Sequence, residues 1–166
     1  MSETGTVHED GTFAVTRDVD ADPQRAWQAW SDPALVQRWW GPTGYSAPVA
    51  RMDVRVGGSS LVGMQGPDGP TIYTTWTYTQ VEPTRMLAFD SSFADERGYP
   101  VPPAHYGIPP VVPERVPHVV TFEPLPGGRT RVTVTESGYQ PGPAMEGSRA
   151  GQEQVMDKFA EVVAGA

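Results

Sequence analysis

Apolar positions along the chain change their period repeatedly, and each change marks an element. Residues 12 to 20, TFAVTRDVD, set Phe13, Val15 and Val19 on one side and polar groups mostly on the other, the period of two expected of a strand with one wet face. Asp22 before Pro23 supplies an N-cap and a proline at the first helical position, and PQRAWQAWS then carries Ala26, Trp27 and Trp30 on one side. Ser31-Asp32-Pro33 opens a second helix, PALVQRWW, with Leu35, Val36, Trp39 and Trp40 at helical spacing, and Gly41-Pro42 closes it.

From there the period returns to two. VARMDVRV, a Gly57-Gly58 break, SLVGM, the turn GPDGP, TIYTTWTYTQV, the turn EPT and RMLAFDSSF read as four strands joined mainly by tight connections. In the third of these Ile72, Trp76 and Tyr78 share a face, with Tyr73 and Val81 on the other. Two further strands, RVPHVVTFEPL and RTRVTVTES, flank a Pro-Gly-Gly turn. Residues 143 to 164 form the only long helix, with Met145, Val155, Met156, Phe159, Val162 and Val163 in one stripe. A run of strands closed by one amphipathic helix predicts an α+β fold: a curved antiparallel sheet of six to seven strands wrapped around the C-terminal helix, with two short helices after the first strand.

Residues 94 to 114 interrupt the pattern with prolines at 100, 102, 103, 109, 110 and 113 and no apolar period. That density excludes regular helix and central strand, and a loop beyond about 12–15 residues is more often functional or disordered than idle. Tyr99, His105, Tyr106 and Ile108 make it a covering flap. Residues 1 to 10 are polar and aperiodic, a predicted flexible tail carrying His8, and 11 to 166 read as a single domain.

Charge narrows the partners. Twelve basic against twenty acidic side chains give −8, which opposes nucleic acid and anionic bilayers, and Arg129 with Arg131 are too few to reverse this. Zero cysteines exclude disulfides and thiolate chemistry. No membrane-length span and no leader pattern are visible, so the expectation is a soluble cytoplasmic protein, monomeric or weakly dimeric, without membrane insertion. Phosphate-loop, dinucleotide, serine-elbow and zinc-protease motifs are absent, and three scattered histidines make no convincing metal site, so any chemistry is expected to need no cofactor or metal.

Four segments in register carry a resemblance: DPALVQRWWGP at 32 to 42, DVRVGGSS at 53 to 60, VEPTRMLAF at 81 to 89 and PGGRTRVTVTESGY at 126 to 139, with Asp20, Pro23 and Trp27 loosely shared. Over residues 12 to 164 the chain resembles the START-like helix-grip (SRPBCC) superfamily, in the branch named after the activator of the heat-shock protein 90 ATPase and also called polyketide cyclase-like. The resemblance implies a sheet gripping the C-terminal helix around an apolar cavity. In relatives such a cavity takes lipids, aromatic polyketides, flavonoid-like molecules or hormones. Relatives carry a Gly-Trp pair early in the last helix where this chain has Gly151-Gln152, which implies a wetter cavity floor.

Gln152 and Ser148 fall in the buried stripe of the last helix, and a buried amide needs a partner. His118 lies between Val116 and Val120 on the apolar side of its strand, after the flap and Pro117, where an imidazole can polarise a carbonyl or move a proton. No carboxylate or hydroxyl partner follows from spacing, so His118 is a weak catalytic candidate and otherwise a hydrogen-bonded wall residue. Trp39, Trp40, Tyr73, Trp76, Tyr78 and Met156 are the apolar candidates for a ligand-binding wall, each with core packing as the plain alternative. Arg51, Asp53 and Arg55 read as a solvated face with cross-strand ion pairs, and His105 as flap surface. The leading expectation is a binding protein for a hydrophobic or aromatic small molecule beneath the flap. A cofactor-independent cyclase or aromatase and a chaperone-associated interaction module with a filled gutter are the alternatives.

Overall fold

The computed structural model describes residues 6, 7 and 10 to 165. In chain order its strands are β1 (Thr6–Val7), β2 (Phe13–Val19), β3 (Ser46–Arg51), β4 (Ser59–Gln65), β5 (Thr71–Glu82), β6 (Met86–Ala94), β7 (Arg115–Leu125) and β8 (Arg129–Glu136). Helices α1 (Pro23–Ser31) and α2 (Pro33–Trp39) follow β2, and α3 (Pro143–Gly165) ends the chain. One antiparallel sheet runs in the order β1-β2-β8-β7-β6-β5-β4-β3, with seven long strands and the two-residue β1 at one edge. It curls as a half-barrel around α3, the predicted α+β helix-grip architecture. His8 lies outside the described residues.

The local signals act where the sequence put them. The Asp22 carboxylate accepts from Arg25 N at 2.9 Å and that of Asp32 from Ala34 N at 2.9 Å, capping α1 and α2, each with proline in its first turn. α3 is seated on β2 by a buried cation. Arg17, 4% exposed, donates Nε to Asp157 at 2.8 Å and Nη2 to the Glu153 carbonyl at 3.2 Å. An arginine in phase with Val15 and Val19 therefore faces the helix rather than solvent. Arg131 and Arg129 on β8 pair with Asp18 and Asp20 at 2.8 Å each, so they form a neutralised patch and no basic surface.

The strand expectations need two corrections. The segment VARMDVRV is not one strand: the ladder stops at Arg51, and Arg55 N turns back onto Asp53 O at 3.1 Å. Arg51, Asp53 and Arg55 are exposed as expected, and the ion pair is local, Arg55 to Asp53 at 2.9 Å, instead of crossing strands. In β5 a bulge between Tyr78 and Gln80 reverses the alternation, so Val81 pairs with buried Leu87 and packs on the core side, opposite to Tyr73. Within the flap, Pro103–Tyr106 forms one 3-10 turn, and Tyr106 Oη accepts from Tyr73 N at 3.3 Å, fixing the flap to the first residues of β5.

Aromatic rings fill the inner half of the gutter. Trp30 packs on Trp39 at 4.6 Å, Trp76 at 5.9 Å, Phe159 at 6.0 Å and Phe89 at 6.4 Å between ring centroids, all in the buried core.

Candidate functional site

One rung across the sheet organises the other half. Register sets Phe13, Glu136, His118, Phe89 and Tyr78 abreast on β2, β8, β7, β6 and β5. Beyond this rung a cavity of about 230 Å³ opens between the sheet and α3. Trp40, Thr74, Phe93, His118, Tyr139 and Gln152 are among its lining, with Val112 to Glu114 of the flap across it.

Each side chain is positioned by identifiable backbone. Trp40 caps α2 with ψ 140, out of helical geometry, which throws its indole from the helix onto the cavity wall. The following loop is held from α3, where Lys158 Nζ donates to Gly41 O at 2.9 Å and Tyr45 O at 3.1 Å; burial pulls that ammonium below its ordinary range. β8 alternates Thr130, Val132, Val134 and Glu136 inward, so the strand ends by delivering a carboxylate, 5% exposed, to the interior. Tyr139 is fixed by Tyr139 N donating to Gly11 O at 3.2 Å and by its ring against Phe13 at 5.5 Å.

Glu136 is the hub. Tyr139 Oη donates to its Oε1 at 2.7 Å and Gln152 Nε2 to its Oε2 at 2.7 Å, while His118 Nε2 stands 3.6 Å from Oε1. These two donors offset the cost of removing a carboxylate from water. His118 Nδ1 lies 2.9 Å from Val116 O, and its ring stacks on Phe89 at 4.8 Å and 14°. A carbonyl only accepts, so Nδ1 carries the hydrogen and Nε2 is the nitrogen turned to Glu136. An imidazole beside a carboxylate and a phenol can hold or pass a proton. Gln152 Oε1, Thr74 Oγ1 and Trp40 Nε1, all on side chains that line the cavity, are buried without partners.

The sequence candidates divide three ways. Trp40, His118, Ser148 and Gln152 line the cavity. Trp39, Trp76, Tyr78 and Met156 are packed in the core beside it, with Trp39 Nε1 donating to Ala29 O at 2.9 Å and Tyr78 Oη 2.7 Å from Ser60 Oγ. Tyr73 lies on the opposite face of β5, its ring beside Gly63. His105 is exposed on the flap. Glu136 and Tyr139 were missed as site residues, although a signal for Glu136 existed: the Pro-Gly-Gly hairpin pairs Leu125 with Arg129, and counting outward from it pairs His118 with Glu136. Among the described residues no group of three His, Asp or Glu side chains could hold a metal, and no helix is long and apolar enough to cross a membrane.

Two buried phenols set an alkaline limit on stability. Burial pushes Tyr78 up to about 12, against the opposing hydrogen bond with Ser60; burial and then the Glu136 charge push Tyr139 up as well. Above pH ~10 the unfolded chain releases these protons and the folded chain keeps them, so stability falls as pH rises. Tyr78 alone contributes about 2–3 kcal/mol to this loss by pH ~12. A tyrosinate absorbance titration should show these two phenols ionising only as the near-ultraviolet dichroism of the fold is lost. Their ionisation near pH 10 with the dichroism intact would contradict the burial argument.

The family model described as Activator of Hsp90 ATPase homolog 1-like protein matches residues 20–164. A solution structure of a protein from Arthrobacter aurescens is 28% identical with a TM-score of 0.83, covering 100% of this chain and 94% of its own. A crystal structure of a protein from Mycobacterium smegmatis is 25% identical with a TM-score of 0.75, covering 99% of this chain and 95% of its own. A crystal structure of the AHSA1 protein from Silicibacter pomeroyi shares the fold at 18% identity and a TM-score of 0.72, covering 92% of this chain and 97% of its own. No curated protein matches the sequence.

Proposed function

The chain belongs to the Activator of Hsp90 ATPase homolog 1-like family, and on that premise we propose that it is a small-molecule binding protein whose ligand occupies the cavity between sheet and C-terminal helix. The observation that carries this reading is the coincidence of a cavity of about 230 Å³ with a buried polar hub and lining side chains that hold unpartnered polar atoms. A packed interior does not leave such atoms unmatched without cost, and a ligand with a ring and a few polar groups satisfies both features. A cavity of roughly 150 Å³ already admits benzene. The volume here therefore favours a guest of one or two rings over a long lipid or an extended polyketide.

Trp40 is the one indole among the lining residues, so it reports occupancy. Titration with benzyl alcohol should quench tryptophan emission saturably, with Kd on the order of 1 mM for a guest this small. The Trp40→Phe variant should lose most of the quench. Quenching that never saturates, or that persists undiminished in Trp40→Phe, would count against occupancy of this cavity.

The spacing of 3.6 Å between His118 and Glu136, with Tyr139 on the same carboxylate, favours a second reading as a cofactor-independent cyclase acting on a short reactive chain. That reading requires turnover that falls about 10²-fold or more in His118→Ala. An interaction module with a filled gutter is less well supported, because the aromatic plug stops short of the cavity.

A further inference from the structure

The wall chemistry narrows the ligand class, an inference that rests on the binding reading above. Hydrogen-bond acceptors converge at one end of the cavity. Gln152 gives its amide nitrogen to Glu136, and because a carboxylate only accepts, Oε1 is necessarily the free end of that amide; it has no partner. His118 commits Nδ1–H to Val116 O, so Nε2 is the ring nitrogen that faces Glu136. Glu136 accepts two hydrogen bonds from the protein, whereas a carboxylate has about four acceptor positions.

No lining side chain is lysine or arginine, and the second carboxylate of the lining, Glu114, stands exposed at the flap. The cations nearby are engaged elsewhere. Lys158 holds the carbonyls of Gly41 and Tyr45, Arg149 holds Glu146 and Glu153, and Arg115 lies 3.8 Å from Asp90. Trp40 and Phe93 add aromatic surface to the wall.

We propose that the cavity selects a small ring compound bearing a protonated amine or amidine, its N–H groups on Glu136 and Gln152 and its ring against Trp40 and Phe93, and that it rejects ring carboxylates. An ammonium there meets a carboxylate, a free amide oxygen and an indole, all favourable to a donor-rich cation. A carboxylate guest meets the Glu136 carboxylate with no lysine or arginine in the lining to offset it, the repulsive element that specificity needs.

Benzylamine, benzyl alcohol and benzoate form a test set of similar size, titrated at neutral pH into the full chain and followed by amide chemical shifts. Benzylamine should bind at least about tenfold more tightly than benzoate and more tightly than benzyl alcohol. In Glu136→Gln the amine should lose its advantage over benzyl alcohol, and an advantage that persists undiminished would overturn the assignment to Glu136. If that variant does not fold, the ranking in the unaltered protein decides alone. Benzoate binding as well as benzylamine would overturn the charge selection and leave the cavity reading standing. Failure of all three to shift any lining residue would overturn both.

Discussion

Replacing Trp30 with alanine is expected to destabilise the fold by about 3–5 kcal/mol, the range for deleting a large buried aromatic. Trp30 is 1% exposed and touches Trp39, Trp76, Phe89 and Phe159, rings supplied by α2, β5, β6 and α3. Its loss leaves a void bounded by elements from across the fold, none of which can collapse inward alone. The melting temperature should drop by roughly 10–15 °C for a chain of this size. Trp30→Phe should cost less than about 1.5 kcal/mol, since the indole Nε1 it removes is buried without a partner. Equal losses in the two variants, read by equilibrium denaturation, would show that ring packing is not what holds this half of the gutter.

Gly11→Ala should be nearly as damaging, by about 3 kcal/mol, although it adds a single methyl. Gly11 has φ +86, and a Cβ there would stand 1.9 Å from Tyr139 O. The backbone of Tyr139 must yield, and with it the phenol that donates to Glu136. The same change at Gly127, φ +81 with open space around it, carries only the left-handed strain, about 1 kcal/mol. Gly11→Ala should therefore weaken benzyl alcohol binding as well as stability, and Gly127→Ala should affect stability alone. Equal effects on binding from both would separate Tyr139 from the site.

These two positions show what could be read in the chain and what could not. Trp30 was legible because an N-cap, a proline and helical spacing place it on the inner side of α1 without any knowledge of the sheet. Most of the strands and the long helix were legible for the same reason: each follows from local period. Gly11 was not, because its importance comes from the approach of residue 139, far along the chain. Val81 was misplaced by the β5 bulge, which reverses alternation without any mark in composition. Met52 and Val54 alternate with exposed neighbours and still form no ladder, since burial alone can set that period in a bent loop.

The site was legible by halves. His118, Gln152 and Ser148 could be placed from the faces of their own elements, whereas Trp40, read on the helical stripe of α2, reaches the cavity because the helix ends one residue before it. Glu136 required two strands to be aligned first, and a glutamate in phase with Val132 and Val134 was the available clue. Trp76, Tyr78 and Met156 share those inward faces but lie nearer the aromatic plug, and no single-strand pattern says how far along the gutter the filling extends.

Intermolecular nuclear Overhauser effects from bound benzyl alcohol test the hollow interior most directly. Contacts are expected to the side chains of Met64, Val116 and Val155, which line the cavity, and none to Val15 or Val132 of the packed core. Contacts confined to exposed side chains such as Val56, or none at all at saturating alcohol, would contradict it.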